Sequence, residues 1–175
     1  MVTWLWLRHL DAQLRAVVPF ATALLAVLID VAPVVGTGPA GLTSFSTLCV
    51  VFFWSLYRPD LFTPTAAFLT GLVYDGLAGL PLGLSSLALL LVRNLMILQQ
   101  RFFVTRSFLV IWSCFLLLAP AVEAARWLLS SLWWGHLFTP RPMLFELLVT
   151  MALYPAASWL LSRIHNHIPR LIHAS

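Results

Sequence analysis

The chain has 175 residues, of which 61% are hydrophobic and only 9% are charged, and its formal net charge is +4. A soluble domain carries roughly 25% charged residues, so this composition excludes an ordinary soluble protein and indicates an integral membrane protein. A membrane-spanning helix needs about 20 apolar residues, so the length allows at most six or seven spans and no separate soluble domain. We therefore predict an all-α integral membrane protein with one transmembrane domain over residues 1–175.

The N-terminal residues are expected to lie on the membrane surface. Residues 1–16 place apolar side chains at helical spacing with Arg8 and Arg15 on other faces, which is typical of a short interfacial helix. A first span is predicted over 17–35, and it carries Asp30 near its outer end. No small-residue cleavage site follows it, so we expect a span that is not removed.

Residues 54–83, WSLYRPDLFTPTAAFLTGLVYDGLAGLPLG, are the stretch that hydrophobicity alone does not explain. A second span over 42–57 is expected to end at Arg58-Pro59-Asp60, because proline disfavours a helix in the residue before it. Thr63 followed by Pro64 is typical of a helix N-cap and a first helical position.

A short third span is predicted over 64–77, with a Gly/Pro turn over 78–81 and a fourth span over 82–98. At 1.5 Å per residue the third span is about 21 Å long, whereas the hydrocarbon core of a bilayer is about 30 Å thick. Irregular backbone survives at membrane depth only where protein or a water-filled cavity covers it. We therefore expect this hinged hairpin to lie inside the bundle.

The C-terminal half completes a six-helix prediction. A polar loop is expected over 99–106, a fifth span over 107–134, a sixth over 143–161 and a cytoplasmic tail over 162–175.

Arginine distribution gives the orientation. With the N-terminus inside, only Arg141 falls in an outer loop, and seven arginines fall on the inner side. These are Arg8, Arg15, Arg58, Arg101, Arg106, Arg163 and Arg170. Positive residues concentrate on the cytoplasmic side of membrane proteins, so both termini are predicted to be cytoplasmic. The basic charge is then explained by anionic lipid headgroups, and nucleic acid is excluded as a partner.

Small residues recur along the third span. Ala67, Gly71, Asp75 and Gly79 are four residues apart and share one helix face, which allows another helix to approach closely. Two interpretations are open, namely packing within the chain and docking of a partner helix.

Four acids are predicted to lie in the outer half of the spans: Asp30, Asp75, Glu123 and Glu146. Arg126 is the nearest cation and stands three residues after Glu123, a spacing that allows an ion pair on a helix. An ionisable group within a span is expected to be paired or functional. We hypothesise an outer-half polar cluster that serves as a structural salt bridge or as a binding site.

Other features have simpler interpretations. Arg93 is expected to reach the inner surface or to pair with Asp60. Tryptophans near the span ends are typical of an aromatic belt. Several of Trp54, Trp112, Trp133, Trp134 and Trp159 lie near predicted span ends. The sequence has no catalytic motif and no histidine or cysteine set at metal-ligand spacing, so no enzyme activity, metal or cofactor is predicted.

Three short motifs resemble a known family. Tyr57-Arg58-Pro59-Asp60, Gly71-Leu72-Val73-Tyr74-Asp75 and Gly79-Leu80-Pro81-Leu82-Gly83-Leu84 resemble the bacterial rod shape-determining MreD family, most strongly over residues 54–93. The signature positions carried over are Arg58, Pro59, Gly71, Asp75, Gly79, Pro81 and Gly83, and the family gives them architectural and partner-contact roles.

The resemblance implies a non-catalytic, multi-pass subunit of the cell-elongation machinery in the inner membrane, which helps to organise lateral peptidoglycan synthesis. Its implied direct partner is MreC, a single-span protein. The wider assembly includes the MreB filament, a SEDS glycosyltransferase and a class B penicillin-binding protein. Family members also resemble the substrate-binding subunits of energy-coupling factor transporters, so binding of a vitamin-like small molecule is the alternative.

Overall fold

The computed structural model describes residues 2–31, 45–103, 106–135 and 141–167, and it contains six helices and no strand in these ranges. The helices are α1 (Val2–Val31), α2 (Phe45–Tyr57), α3 (Pro64–Ala78), α4 (Leu84–Phe103), α5 (Phe108–Trp134) and α6 (Arg141–His167). The all-α prediction is therefore confirmed for the described part of the chain.

Two stretches are long and apolar enough to cross a membrane. They are Phe108–Trp134, which is all of α5, and Leu147–Ile164 within α6. Shorter apolar helices cover Val17–Val31 and Ser46–Tyr57. The predicted number of six spans rests on the sequence and stays a prediction.

α2 and α4 lie side by side at the centre of the bundle. α1 and α3 pack on one side of this pair, whereas α5 and α6 pack on the other side. Every residue from Thr47 to Leu56 in α2 is buried. The centre is therefore formed by α2 together with α4.

The prediction that the whole α3–α4 hairpin lies inside the bundle is wrong for α3. This helix lies at an edge, and its side chains Phe68, Leu69, Val73 and Leu77 are 40–51% exposed. Gly71 and Asp75 contact α4, whereas these large apolar side chains face outward. That arrangement suits a bilayer, where close contacts between helices use small side chains and lipid tails accept large apolar ones.

Two predicted boundaries differ from the structure. α1 is one continuous helix with no break after residue 16, and the location of residues 2–16 on the membrane surface stays a prediction. α4 continues to Phe103, so the loop predicted from residue 99 is wrong over 99–103. The cause is tertiary packing, because Phe103 is buried and Gln100 Nε2 donates to the Leu56 carbonyl at 3.2 Å.

The turn between α2 and α3 is held by Arg93 from the middle of α4. Its Nε donates to the Phe62 carbonyl at 2.7 Å and its Nη2 to the Pro59 carbonyl at 3.4 Å. Asp60 instead lies 3.3 Å from Nε of Arg58. Pairing of Arg93 with Asp60 is therefore wrong, since the guanidinium binds backbone carbonyls of the turn, whereas its reach toward the inner surface stays a prediction.

Trp112 compensates for a proline in the neighbouring helix. Pro155 has no N–H, so the carbonyl of Met151 cannot form its usual helical hydrogen bond. Trp112 Nε1 donates to this carbonyl at 3.2 Å.

Trp54 is fully buried and its Nε1 donates to Thr22 Oγ1 at 3.0 Å. The aromatic-belt prediction is therefore wrong for Trp54, which is buried inside the bundle, and stays a prediction for Trp112.

Replacing Trp112 by Phe should lower the free energy of unfolding by about 1 kcal/mol, because the half-buried Met151 carbonyl loses its donor while the aromatic packing remains. Trp133→Phe is the matched control, since Trp133 is 72% exposed. Equilibrium unfolding in mild detergent titrated with SDS measures both. Equal losses in the two variants would contradict a capping role for Trp112.

Candidate functional site

The candidate site is built around the face that α3 turns toward α4. The predicted helix start is confirmed, because Thr63 is the N-cap, its Oγ1 accepts from the Ala66 N–H at 3.2 Å, and Pro64 is the first helical residue. A Cβ on Gly71 would lie 2.4 Å from Cα of Ser86. Only glycine therefore allows the two backbones to come this close, and the small-residue face packs against α4 within the chain.

Asp75 lies on the same face, one turn after Gly71, and its side chain is completely buried. Oδ2 accepts from the Gly83 N–H at 2.9 Å, and Oδ1 accepts from the Ser85 N–H at 3.0 Å. The first N–H groups of a helix have no partner within the helix and carry a partial positive charge. The Asp75 carboxylate thus closes the hairpin by capping the N-terminus of α4.

The turn between these two helices is bound to Asp75 through the backbone as well. Gly79 has a φ of 67° and ends α3 in the left-handed conformation, with its N–H bonded to the Asp75 carbonyl. The Leu80 N–H also donates to that carbonyl, at 3.0 Å. Gly83 has a φ of 101°, so a side chain at this position would be strained. Asp75 therefore fixes both ends of the turn between α3 and α4.

Arg126 connects α5 to this turn. Its Nη1 lies 3.1 Å from Oε1 of Glu123, and its Nη2 donates to Oγ of Ser85 at 2.9 Å. The guanidinium also lies over the Tyr74 ring, 5.1 Å from the ring centre. Ser85 therefore joins two parts of the predicted cluster, because its N–H binds Asp75 and its hydroxyl binds Arg126.

Asp30 lies at a second, similar closure. Its Oδ1 accepts from the Ser46 N–H at 2.8 Å and from the Ser46 hydroxyl at 2.7 Å, and its Oδ2 accepts from the Thr47 N–H at 2.9 Å. Asp30 therefore caps the N-terminus of α2 as Asp75 caps that of α4. The fourth predicted acid, Glu146, lies in α6, but its side chain is outside the described residues.

These contacts hold helices together, and we call the set formed by Asp30, Asp75, Ser85, Glu123 and Arg126 the structural lock. Asp30 and Asp75 are each held by N–H groups at a helix N-terminus, and Glu123 is paired with Arg126. Within the described ranges no group of three or more His, Cys, Asp or Glu side chains could hold a metal ion.

The comparison with known families agrees with the motifs. Residues 11–164 match the family model for rod shape-determining protein MreD. The chain belongs to the MreD family. It is therefore a rod shape-determining membrane protein of bacteria. No curated protein and no solved structure matches the chain, so the likeness to energy-coupling factor subunits stays a prediction.

The structure places the MreD signature positions at two turns and one helix contact. Arg58 and Pro59 lie at the turn between α2 and α3, which Arg93 holds. Gly71 lies directly against Ser86 of α4. Asp75, Gly79, Pro81 and Gly83 form the turn between α3 and α4. The signature thus fixes the geometry of the hairpin.

Sequence reasoning missed two residues that contact Arg126, namely Ser85 and Tyr74. Ser85 belongs to none of the sequence motifs, although a serine in the first turn of a predicted helix is a signal for capping contacts. Tyr74 precedes Asp75 directly and gave no separate signal. Its contact with Arg126 joins α3 to α5 through two residues that are 52 positions apart in the chain.

Proposed function

We propose that this MreD-family chain is a non-catalytic scaffold of the cell-elongation machinery, embedded in the inner membrane by six spans with both termini in the cytoplasm. The observation that carries this proposal is what the buried acids contact. The Asp30 and Asp75 carboxylates cap helices, and the Glu123 carboxylate pairs with Arg126. These described acids therefore hold the bundle together, and none is arranged for catalysis.

The register of the helices agrees with the proposed depth of the lock. Ser85 and Arg126 are in contact, and each lies 18 residues from the inner end of its helix, Phe103 for α4 and Phe108 for α5. At 1.5 Å per residue this is about 27 Å, close to the thickness of the hydrocarbon core. The lock thus lies near the outer surface when the arginine-rich ends lie at the inner surface.

The direct partner in this proposal is a single-span protein of the MreC type. A rigid bundle whose outer turn is fixed offers a constant surface to a partner helix, and binding to a rigid surface costs less ordering entropy. The helix face available for this contact is the outward, leucine-rich face of α3, because its small-residue face is occupied by α4. Contacts with MreB, the SEDS glycosyltransferase and the class B penicillin-binding protein are direct or run through this partner.

A pull-down from the native membrane in mild detergent tests the proposal. Tagged wild-type chain is compared with Leu77→Gln and Leu87→Gln, and copurifying proteins and small molecules are both identified by mass. Leu77 lies on the outward face of α3, whereas Leu87 is similarly exposed on α4. We expect a stoichiometric single-span protein that is retained by Leu87→Gln and reduced several-fold by Leu77→Gln.

Asp75→Leu is unsuitable as a contact probe, because it removes the cap of α4 and alters the fold. Recovery of energy-coupling ATPase subunits or a retained vitamin-like molecule would overturn the scaffold proposal and support the transport alternative. Equal retention in both leucine variants would exclude the α3 face while leaving the partner itself established.

A further inference from the structure

Asn94 is an exposed polar side chain in the middle of α4. It lies ten residues after Leu84 and nine before Phe103, so each end of the helix is about 14–15 Å away. The exposed side chains one turn before and after it are Leu91 and Leu98, at 56% and 80%. Asn94 therefore faces the apolar interior of a bilayer, where a hydrogen-bonding group without a partner is costly.

The amide of Asn94 keeps unused donors. Its Oδ1 accepts from Arg93 Nη1 at 3.5 Å, and its Nδ2 has no acceptor among the described residues. Ser113 on α5 is exposed as well, but its hydroxyl donates to the Leu109 carbonyl of its own helix at 2.9 Å. Asparagine side chains in membrane helices form hydrogen bonds across to other helices. Asn94 therefore indicates a contact with a helix outside the described bundle.

The exposed residues around Asn94 have the spacing of a contact between two helices. Leu87, Leu91, Asn94 and Leu98 follow one another at intervals of four, three and four, as the a and d positions of a heptad do. Leu87 is 65% exposed, so α3 and α5, which both pack against α4, leave this whole row uncovered. We call these four residues the α4 seam. A second helix can pack along it at the small crossing angle that is common in membrane bundles.

A second copy of this chain meets the requirements of the α4 seam. Copies inserted with the same orientation are related by a two-fold axis along the membrane normal, so each seam residue meets its counterpart at the same depth. An amide carries both donors and an acceptor, so two Asn94 side chains satisfy each other through reciprocal Nδ2–H···Oδ1 bonds. Oδ1 has a second lone pair, so the hydrogen bond from Arg93 is retained. A row of leucines with one central amide is therefore self-complementary.

We infer that the chain forms a parallel two-fold dimer through the α4 seam, with Asn94 paired to Asn94 of the second copy. A single asparagine in a leucine seam fixes the register, because any shift leaves both amides facing leucine. Arg101 lies three residues beyond Leu98, toward the inner end of α4, where water and salt screen the two like charges from each other. The dimer leaves the outward face of α3 open, so the inference does not depend on which protein partner the scaffold binds.

Disulfide cross-linking in the native membrane tests the contact. Cys49 and Cys114 are replaced by Ala, and either Leu91→Cys or Leu117→Cys supplies the single thiol. Leu117 is the matched control, because it is 77% exposed on α5 and lies nine residues from the inner end of its helix, against twelve for Leu91. We expect oxidation to convert most of the Leu91→Cys protein, and little of the Leu117→Cys protein, to a band of twice the mass. Equal cross-linking of the two variants would overturn the inference, and so would a Leu91→Cys product that contains a different protein.

Energy transfer between donor-labelled and acceptor-labelled copies of the purified full-length chain in liposomes measures the strength of the dimer. Asn94→Leu should raise the dissociation constant about tenfold, because leucine gains little from another helix that it does not also gain from lipid. Asn94→Gln keeps the amide and should retain most of the affinity. Ser113→Ala is the matched control and should leave the dissociation constant unchanged, since that hydroxyl is satisfied within its own helix. A monomeric wild type, or an unchanged dissociation constant in Asn94→Leu, would overturn the inference. Unfolding midpoints are measured in parallel, so that only folded variants are compared.

Discussion

Replacing Arg126 by Met should lower the free energy of unfolding by about 3–5 kcal/mol, the range for removing one partner of a buried ion pair. The loss has two sources. The buried Glu123 carboxylate loses the guanidinium at 3.1 Å, and the Ser85 hydroxyl loses its donor at 2.9 Å. Equilibrium unfolding in mild detergent titrated with SDS measures the change.

The double variant Glu123→Leu with Arg126→Met separates the effect of the Glu123–Arg126 ion pair from that of the Ser85–Arg126 hydrogen bond. It removes both charges, so the cost of a buried carboxylate without its guanidinium disappears, and we expect a loss of less than about 2 kcal/mol. A loss in the double variant as large as in Arg126→Met alone would show that the ion pair is not the source of the effect. A loss below about 1 kcal/mol in Arg126→Met would contradict the structural lock itself.

Replacing Gly71 by Ala should destabilise the bundle by about 3 kcal/mol, the upper end for adding one carbon to a tightly packed contact. The new Cβ would meet Cα of Ser86 at 2.4 Å, its N at 2.5 Å and the carbonyl carbon of Ser85 at 2.8 Å. These are backbone atoms, so no side-chain rotation relieves the contact and α3 must move away from α4. That movement also stretches the hydrogen bond from Ser85 to Asp75.

Gly76→Ala is the matched control on the same helix. A Cβ at Gly76 would have nothing within 4 Å. Alanine favours a helix over glycine by up to about 1 kcal/mol, so this variant should be neutral or slightly more stable. The unfolding free energies of the two variants should therefore differ by about 3 kcal/mol or more. Similar values for both would mean that α3 and α4 do not pack as closely as the structure shows.

The local features of α3 followed from the sequence because they depend on residues that are near one another in the chain. Thr63 and Pro64 predicted the first turn, and the structure begins α3 at Pro64. The four-residue spacing of the small side chains predicted a close helix contact, which Gly71 makes with α4. The pairing of Glu123 with Arg126 also followed, since three residues separate them on one helix.

Contacts between distant residues did not follow from the sequence. Asp30 and Asp75 were grouped with Arg126 by depth in the membrane, but each carboxylate is held by a helix N-terminus whose position only the tertiary structure determines. Asp60 was an expected partner of Arg93, but the guanidinium instead donates to the carbonyls of Pro59 and Phe62, 34 and 31 residues away. Charge and depth limit the possible partners, whereas helix packing selects among them.

The sequence by itself determined that the chain is a helical membrane protein, where most of its helices lie, and which family it belongs to. Only the tertiary structure showed that α2 and α4 form the centre while α3 lies at an edge. The physical reason is that a bilayer and a protein interior are both apolar. Hydrophobicity therefore identifies a helix in either place, but it does not distinguish the face that meets lipid from the face that meets another helix.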